Sequence, residues 1–436
     1  MQTRSTETAQ MSKVAKTTVT VLFIAWLVDY FDRLIVTFAL PSIGKDFALN
    51  HTEQGLVVSA FFIAYAFSQL PGGVLADKVG ARKIIIAALI FWSLFTGMTA
   101  VAWSLGALLV IRFLFGVGEG VFPGASFKAI SERTNPRERM LANGVMLSSN
   151  NFGGAVAPLV AAPLILAVGW RWSFGIAAVV GVLCCVVILI WLPKPQAPEL
   201  ESGFARQKLS EPKKGNVWAL FKSPIILIYV LMFFGVDLIG WGISSWIPSY
   251  LQTVRGLSIG SSAILVAIPA VCAGLATIAG GKLTDRFNGR PGRIVGPAML
   301  IGGIAIVLMA LSSSLVAFII WECVGMSCFG LSFMPVMSVP LKTLNSKFAG
   351  SASGAVNFGG QMAGVFAPVL MGALIDHFSY VAAFFLLAAG AVIGLVCALL
   401  APQTPAQLKA KLERNQLLAG GFSPELEPGT VSAARV

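Results

Sequence analysis

The sequence predicts an all-α membrane protein whose twelve transmembrane helices form two pseudo-symmetric six-helix bundles. Three observations predict it: apolar windows of spanning length recur along the chain, positive charge is concentrated in alternate loops, and two motifs repeat at nearly one offset. Hydrophobic residues make up 56% of the 436 and charged residues 11%, whereas an average soluble domain carries about 25% charged residues. With a mean hydropathy of +0.82, a soluble fold is excluded.

A bilayer core of roughly 30 Å is crossed by about 20 apolar helical residues. Windows of this kind cover 18–41, 55–76, 84–104, 106–130, 140–167, 171–192, 224–252, 258–281, 294–313, 315–341, 349–374 and 379–402. The first is long, contains Asp29, Asp32 and Arg33, and lacks a small-residue cleavage site. It is therefore expected to remain as a span rather than be removed as a signal peptide.

The net charge is +12, from 31 Lys and Arg against 19 Asp and Glu. In a soluble protein this would suggest nucleic acid; here it reads as orientation, because cytoplasmic loops are enriched in Lys and Arg. With the N-terminus inside, 26 of the 31 basic residues fall in the N-terminal arm, alternate loops and C-terminal tail on one side. Lys45, Arg171 and Arg255 fall on the other, while Arg33 and Arg112 lie inside spans and topology does not explain them. The expected partners are the lipid bilayer and a small solute, with no nucleic acid, and the chain is expected to act as a monomer.

A polar stretch rich in Pro, Lys and Glu divides the windows six and six. The expected organisation is a cytoplasmic arm (1–17), an N-terminal bundle (18–192), a cytoplasmic linker (193–223), a C-terminal bundle (224–402) and a cytoplasmic tail (403–436). Within the tail, 405–415 is expected to form a short amphipathic helix. Gly73-Val-Leu-Ala-Asp77-Lys78 after span 2 matches Gly281-Lys-Leu-Thr-Asp285-Arg286 after span 8, and Asn151-Phe-Gly-Gly in span 5 matches Asn357-Phe-Gly-Gly in span 11, at offsets of 208 and 206. A duplicated six-helix unit follows, and transporters built from such repeats hold their substrate near the midplane between halves.

Cysteine, histidine and glycine patterns exclude other chemistries. The six cysteines lie in apolar windows without CxxC spacing, and the two histidines, His51 and His377, sit near predicted outer loops. No disulfide framework, metal site or cofactor is expected, and no nucleophile and base pair marks an enzyme. Gly116-Val-Gly-Glu-Gly lies inside a span rather than after a strand, so it is not a phosphate loop.

Ionisable residues inside spans are costly and line cavities or pair with one another. They are Asp29, Asp32, Arg33, Arg112, Glu119, Asp237 and Glu322. Asp29 and Arg33 are i and i+4, with the acid N-terminal as a helical pair favours, and Asp32 points about 100° away from Arg33. Arg112 and Glu119 share a face about 10.5 Å apart along the axis. Arginine stays protonated and offers a fork that fits a carboxylate, whereas a poorly solvated carboxylic acid can exchange a proton near neutral pH. The expected division of labour is Arg33 for a substrate carboxylate, Asp32 and Glu119 for protons, with Asp29 as an extra acid that either partly neutralises Arg33 or adds a protonation step, and Arg112 sensing the charge of Glu119. Mutually neutralised structural pairs are the competing reading.

The run Gly73-Val-Leu-Ala-Asp77-Lys78-Val-Gly80-Ala-Arg82-Lys83 resembles the loop 2–3 signature of the major facilitator superfamily. Its glycines suit close helix approach. Gly73, Asp77 and Arg82, with Asp285 and Arg286 in the second half, are expected to form a gating network that holds one arrangement of the halves. Asp29-Tyr-Phe-Asp32-Arg33 and Arg112-Phe-Leu-Phe-Gly-Val-Gly-Glu119 further resemble the anion:cation symporter branch of that superfamily, which includes proton-coupled carriers of sugar acids and aromatic acids. The resemblance implies a major facilitator fold, Asp32 and Glu119 as protonation sites, Arg33 as the anion contact, and Tyr65, Asn150 and Asn357 at binding positions. It also implies a multi-pass plasma-membrane location. The branch commonly has Asn where Asp29 stands.

Gln361 joins Asn357 as an amide in an apolar helix, available to a hydroxyl or carboxylate or to a neighbouring helix. Asp237, Trp241 and Trp246 are candidates for the opposite wall. In span 10, Ser332-Phe-Met-Pro-Val-Met337-Ser338 offers little for hydroxyl recognition, which keeps an aromatic or less hydroxylated carboxylate beside a sugar acid as cargo. Sodium stays open beside protons as the coupling ion. A drug efflux antiporter is a further alternative, disfavoured because the Gly-Pro-x-x-Gly-Gly motif of such carriers is missing from span 5.

Overall fold

A computed structural model describes residues 11–195, 224–287, 290–343, 346–404, 406, 407 and 410, without the side chains of 70, 136, 137, 140, 151, 285 and 338–352. Most of the arm, linker and tail expected from the sequence, and the Asp285 side chain, lie outside this set. Regular structure is helical throughout the described residues: α1 (Lys13–Asp46), α2 (His51–Val79), α3 (Ala81–Ala100), α4 (Leu105–Ser131), α7 (Pro224–Thr253), α8 (Ile259–Arg286), α9 (Gly292–Leu311), α10 (Leu315–Thr343), α11 (Ser346–His377) and α12 (Tyr380–Leu400). Between α4 and α7, Pro136–Trp191 is one helical stretch broken at Gly169, whose φ of 77° is left-handed. Glycine adopts that region without a Cβ clash, so the stretch folds back as α5 (136–168) and α6 (170–191).

Among the described residues, nine helical stretches are long and apolar enough to cross a membrane, and a tenth is α2 if its parts His51–Gln69 and Pro71–Val79, bent by 48°, count as one span. The bend falls at Pro71, which removes a backbone donor and crowds the preceding turn. The outer surface is apolar, with Val110, Leu183, Ile190 and Leu275 all exposed, as a lipid-facing surface requires.

Inside the membrane helices gain little from apolar burial, because lipid is as apolar as leucine; close packing through small residues takes over. A Cβ on Gly120 would lie 2.7 Å from the Tyr65 carbonyl oxygen, so α4 rests directly on the backbone of α2. In the second half Gly330 of α10 sits on the Ala273 backbone of α8 in the same way. This correspondence extends the repeat: Gly120 and Gly330 are offset by 210, Tyr65 and Ala273 by 208. One buried core is built from α1–α6 with Ala263 of α8, and a second from α7 to Ala401.

The most extensive helix contacts between the halves, among the described residues, are α2 with α11, α5 with α8, and α1 with α7. Since the repeat maps α2 onto α8 and α5 onto α11, the first two are one contact seen twice. At the end carrying the α1–α2 turn, Asp376 of α11 caps the N-terminus of α2. Its carboxylate accepts from the backbone N–H of His51 (2.9 Å) and Thr52 (2.7 Å) and from the Thr52 hydroxyl (2.7 Å), and meets His51 Nδ1 at 2.7 Å. Further along, Asn357 Nδ2 donates to Gln69 Oε1 at 2.8 Å.

Candidate functional site

The site grows from two helices. In α1, one turn stacks Asp29 over Arg33, and Arg33 Nη2 lies 3.0 Å from Asp29 Oδ2. From α4, Glu119 reaches the same guanidinium, with its Oε2 3.1 Å from Nη2 and 3.3 Å from Nε. Tyr65 of α2 closes one face, its ring centroid 4.5 Å from the guanidinium carbon, with the rings of Tyr30 and Phe61 each at 5.2 Å. Asp29, Asp32, Arg33, Arg112 and Glu119 are all at most 5% exposed.

The structure adds a pairing that spacing along one helix did not supply. Glu119 bonds Arg33 of the neighbouring helix and not Arg112 of its own. The physical reason is the rise of the helix, since seven residues separate the two by about 10.5 Å, beyond what the side chains bridge, while α1 passes directly opposite. Arg112 therefore has no carboxylate oxygen within 4 Å among the described residues, and its Nε has no hydrogen-bond partner. It lies against aromatic faces, 4.6 Å from the Phe115 centroid and 5.4 Å from Phe61. Asp32 turns away from this cluster to α3, where the Thr96 hydroxyl is 3.5 Å from Oδ2 and Oδ1 is unpartnered.

A small cavity joins the two arginines to the other half. Arg33, Thr37, Phe61, Phe62 and Arg112 line one side, and Trp241, Ser244 and Ser245 of α7 the other. Trp241 packs edge-on to Phe62 at 4.5 Å. The space admits the centre of a water-sized sphere over only about 10 Å³, roughly room for one water, so the site is closed around its charges. Ser244, Ser245 and Thr37 escaped the sequence reading, although hydroxyls in apolar helices are a signal that could have found them. Among the described residues, no group of three His, Cys, Asp or Glu is arranged to hold a metal ion.

The other predicted residues fall into three sets. Tyr65 is part of the cluster. Asn357 is engaged with Gln69 across the halves, while buried oxygens of Asn150 (Oδ1) and Gln361 (Oε1) have no partner; none of these three lines the cavity. In the loop motif, Asp77 accepts from Lys128 Nζ at 3.2 Å, Arg82 donates to the Leu189 carbonyl, Gly73 packs on Gly124 and Arg286 is exposed at the end of α8. The Asp77 and Arg82 contacts stay inside the first half, so the inter-half network expected there is not formed among the described residues. Among the described residues the cross-half polar contacts run between α2 and α11 instead, a pairing that no loop motif announces.

The repeat also places the remaining acids. Offsets of 208 and 210 put Asp237 opposite Asp29, Trp241 opposite Arg33 and Glu322 opposite Arg112. Asp237 packs beside Gly360 and Phe233, and both oxygens of Glu322 are buried without a hydrogen-bond partner. The second half therefore answers the arginines of the first with acids and aromatics, and among the described residues both membrane-embedded cations belong to α1 and α4.

The Major Facilitator Superfamily family model matches residues 22–368. The chain belongs to the major facilitator superfamily. As a member it is a membrane transporter. It is 28% identical over 387 residues to the hexuronate transporter of Bacillus subtilis (strain 168), covering 85% of this chain and 90% of that one. It is 30% identical over 377 residues to a Cupriavidus necator protein named "Probable sulfoacetate transporter SauU", covering 82% and 86%. A crystal structure of a bacterial homologue of the human lysosomal transporter Spinster, inward-facing and unoccupied, superimposes with a TM-score of 0.77 at 19% identity over 93% of this chain and 99% of that one. That likeness shows the fold.

Proposed function

We propose that this facilitator imports a small organic anion, a sugar acid or related carboxylate, together with protons by alternating access. The observation that carries the reading is Arg112, a buried guanidinium at a cavity between the halves with no carboxylate within 4 Å. A buried cation without a counter-ion is costly, and an entering carboxylate supplies one. This shifts the first anion contact from Arg33, already held by Asp29 and Glu119, to Arg112. The transport of acids by its relatives supports the same class of cargo.

Charge counting supports the proton. Three acids and two arginines leave one excess negative charge when all are ionised, and an added anion would make two. Protons on Asp32 and Glu119 turn the balance positive by one, which a monoanion neutralises. Asp32, with no cation within 4 Å, gains most from carrying one. Each net charge moved inward draws about 2.3 kcal/mol per 100 mV from the membrane potential.

The loop charges favour a plasma-membrane orientation with both termini inside, so the Asp376 clasp lies at the outer end and has to open for loading. Asp376→Ala removes its bonds to His51 and Thr52, each worth on the order of 1 kcal/mol net. The expected result is about a tenfold rise in labelling of a cysteine placed beside Thr52, with helicity unchanged; equal labelling would remove the clasp from the gate.

The test of function is uptake of radiolabelled gluconate, glucuronate, sulfoacetate and phthalate into proteoliposomes. An inside-alkaline pH gradient is expected to drive accumulation of at least one of them above equilibrium. Accumulation driven by a sodium gradient alone, with none driven by protons, would overturn the proton coupling.

A further inference from the structure

Asp29 is the one acid of the cluster that neither proton loading nor anion binding uses, and its placement gives it a different task. Its bond to Arg33 is made within one turn of one helix, 3.0 Å long, with the acid on the N-terminal side. Any motion that keeps α1 helical keeps this pair. The Glu119 contact, in contrast, joins α1 to α4 and disappears as an ionic bond once Glu119 takes a proton. Both Asp29 oxygens are shut off from solvent, and Oδ1 has no other partner.

We propose that Asp29 is a fixed counter-ion that sets the charge class of the cargo, so that the loaded site takes a monoanion and rejects a dianion. This rests on the transport reading above. With Asp32 and Glu119 protonated, the ionised groups are Asp29, Arg33 and Arg112, and the site carries one net positive charge. A monoanion brings it to neutrality. A dianion leaves one uncompensated negative charge among side chains at most 5% exposed, where water cannot screen it. Without the Asp29 charge the same site carries two positive charges, and the preference reverses. The other groups facing Arg33, the phenols of Tyr30 and Tyr65, are neutral; Asp237 of α7, across from α1, is the same in every variant and cancels when a variant's ratio is compared with that of the wild type.

The experiment is competition binding to the purified full-length chain at a pH where it binds, using matched acids that differ by one carboxylate: D-gluconate against D-glucarate, and benzoate against phthalate. The wild type is expected to favour the monoanion of the pair it binds. Asp29→Asn, nearly isosteric and keeping an oxygen that can accept from Arg33, is expected to shift the ratio toward the dianion by about tenfold or more. Asp29→Glu is expected to keep the wild-type preference. A wild type that favours the dianion overturns the inference with no variant needed, and so does an unmoved ratio in Asp29→Asn; both leave the transport reading standing. Binding of neither pair overturns that reading and this inference with it.

Discussion

Glu119→Gln is expected to abolish pH-driven accumulation while counterflow exchange of the same anion persists. Glutamine reproduces the shape and neutrality of a protonated glutamate but cannot release the proton, so the site is fixed in its loaded charge state. Arg33 loses one partner, yet its intrahelical bond to Asp29 at 3.0 Å remains, which is why folding is expected to survive. Exchange requires the loaded carrier to cross in both directions, and this variant allows that. Net uptake requires an empty, deprotonated return, and this variant forbids it. Proteoliposome uptake with and without an imposed pH gradient separates the two. Wild-type accumulation in Glu119→Gln would transfer the coupling role to another acid.

The second large effect distinguishes the two arginines. Arg112→Ala removes a guanidinium that makes no hydrogen bond through Nε and no ion pair within 4 Å. Melting temperature should change little, while affinity for the anion falls by on the order of a hundredfold, the worth of a charge-assisted bidentate contact. Arg33→Ala strips the cation from two buried carboxylates at once. Leaving such charges unpaired costs about 3–5 kcal/mol, and the loss should appear first as lowered thermal stability and yield of folded protein. Isothermal titration and thermal unfolding of both variants give the comparison. Equal stability loss in the two would show that Arg112 is a structural cation, and the anion contact would return to Arg33.

The geometry also bears on occupancy. Room for roughly one water between α1, α4 and α7 means that a six-carbon acid enters only when the halves part. The Phe62–Trp241 contact at 4.5 Å bridges α2 and α7 directly over this space, so it has to separate as cargo binds. Trp241 fluorescence is expected to change on addition of a transported acid, and a Phe62→Ala variant to lose most of that change.

How much was legible in the sequence can be seen residue by residue. The Asp29–Arg33 pair followed from spacing alone, because the geometry of one helical turn fixes it wherever the helix lies. The bend of α2 at Pro71 and the break at Gly169 were likewise available, since proline and glycine act on the local backbone. Glu119 was identified as a site residue, but its bond to Arg33 could not be read, because spacing along α4 says nothing about which helix stands opposite. Ser244 and Ser245 were visible as hydroxyls in an apolar helix, but only the packing shows that they face the cavity. The loop motif was read as an inter-half gate, yet its contacts run to α4 and α6, and the cross-half carboxylate, Asp376, carries no motif at all.

The amino-acid sequence by itself determined that this chain lies in a membrane as a doubled bundle of helices, and that its function gathers around a few charges that a bilayer would otherwise expel. Those conclusions rest on local rules, the length of an apolar helix and the expense of a buried charge, which hold without knowledge of any neighbour. Tertiary structure decided the partnerships between elements: Glu119 bound to Arg33, Arg112 left open at the cavity, Asp32 turned to α3, and Asp376 capping α2. These contacts join residues 64 to 325 positions apart, and only the packing of one helix against another can bring them within reach of a hydrogen bond.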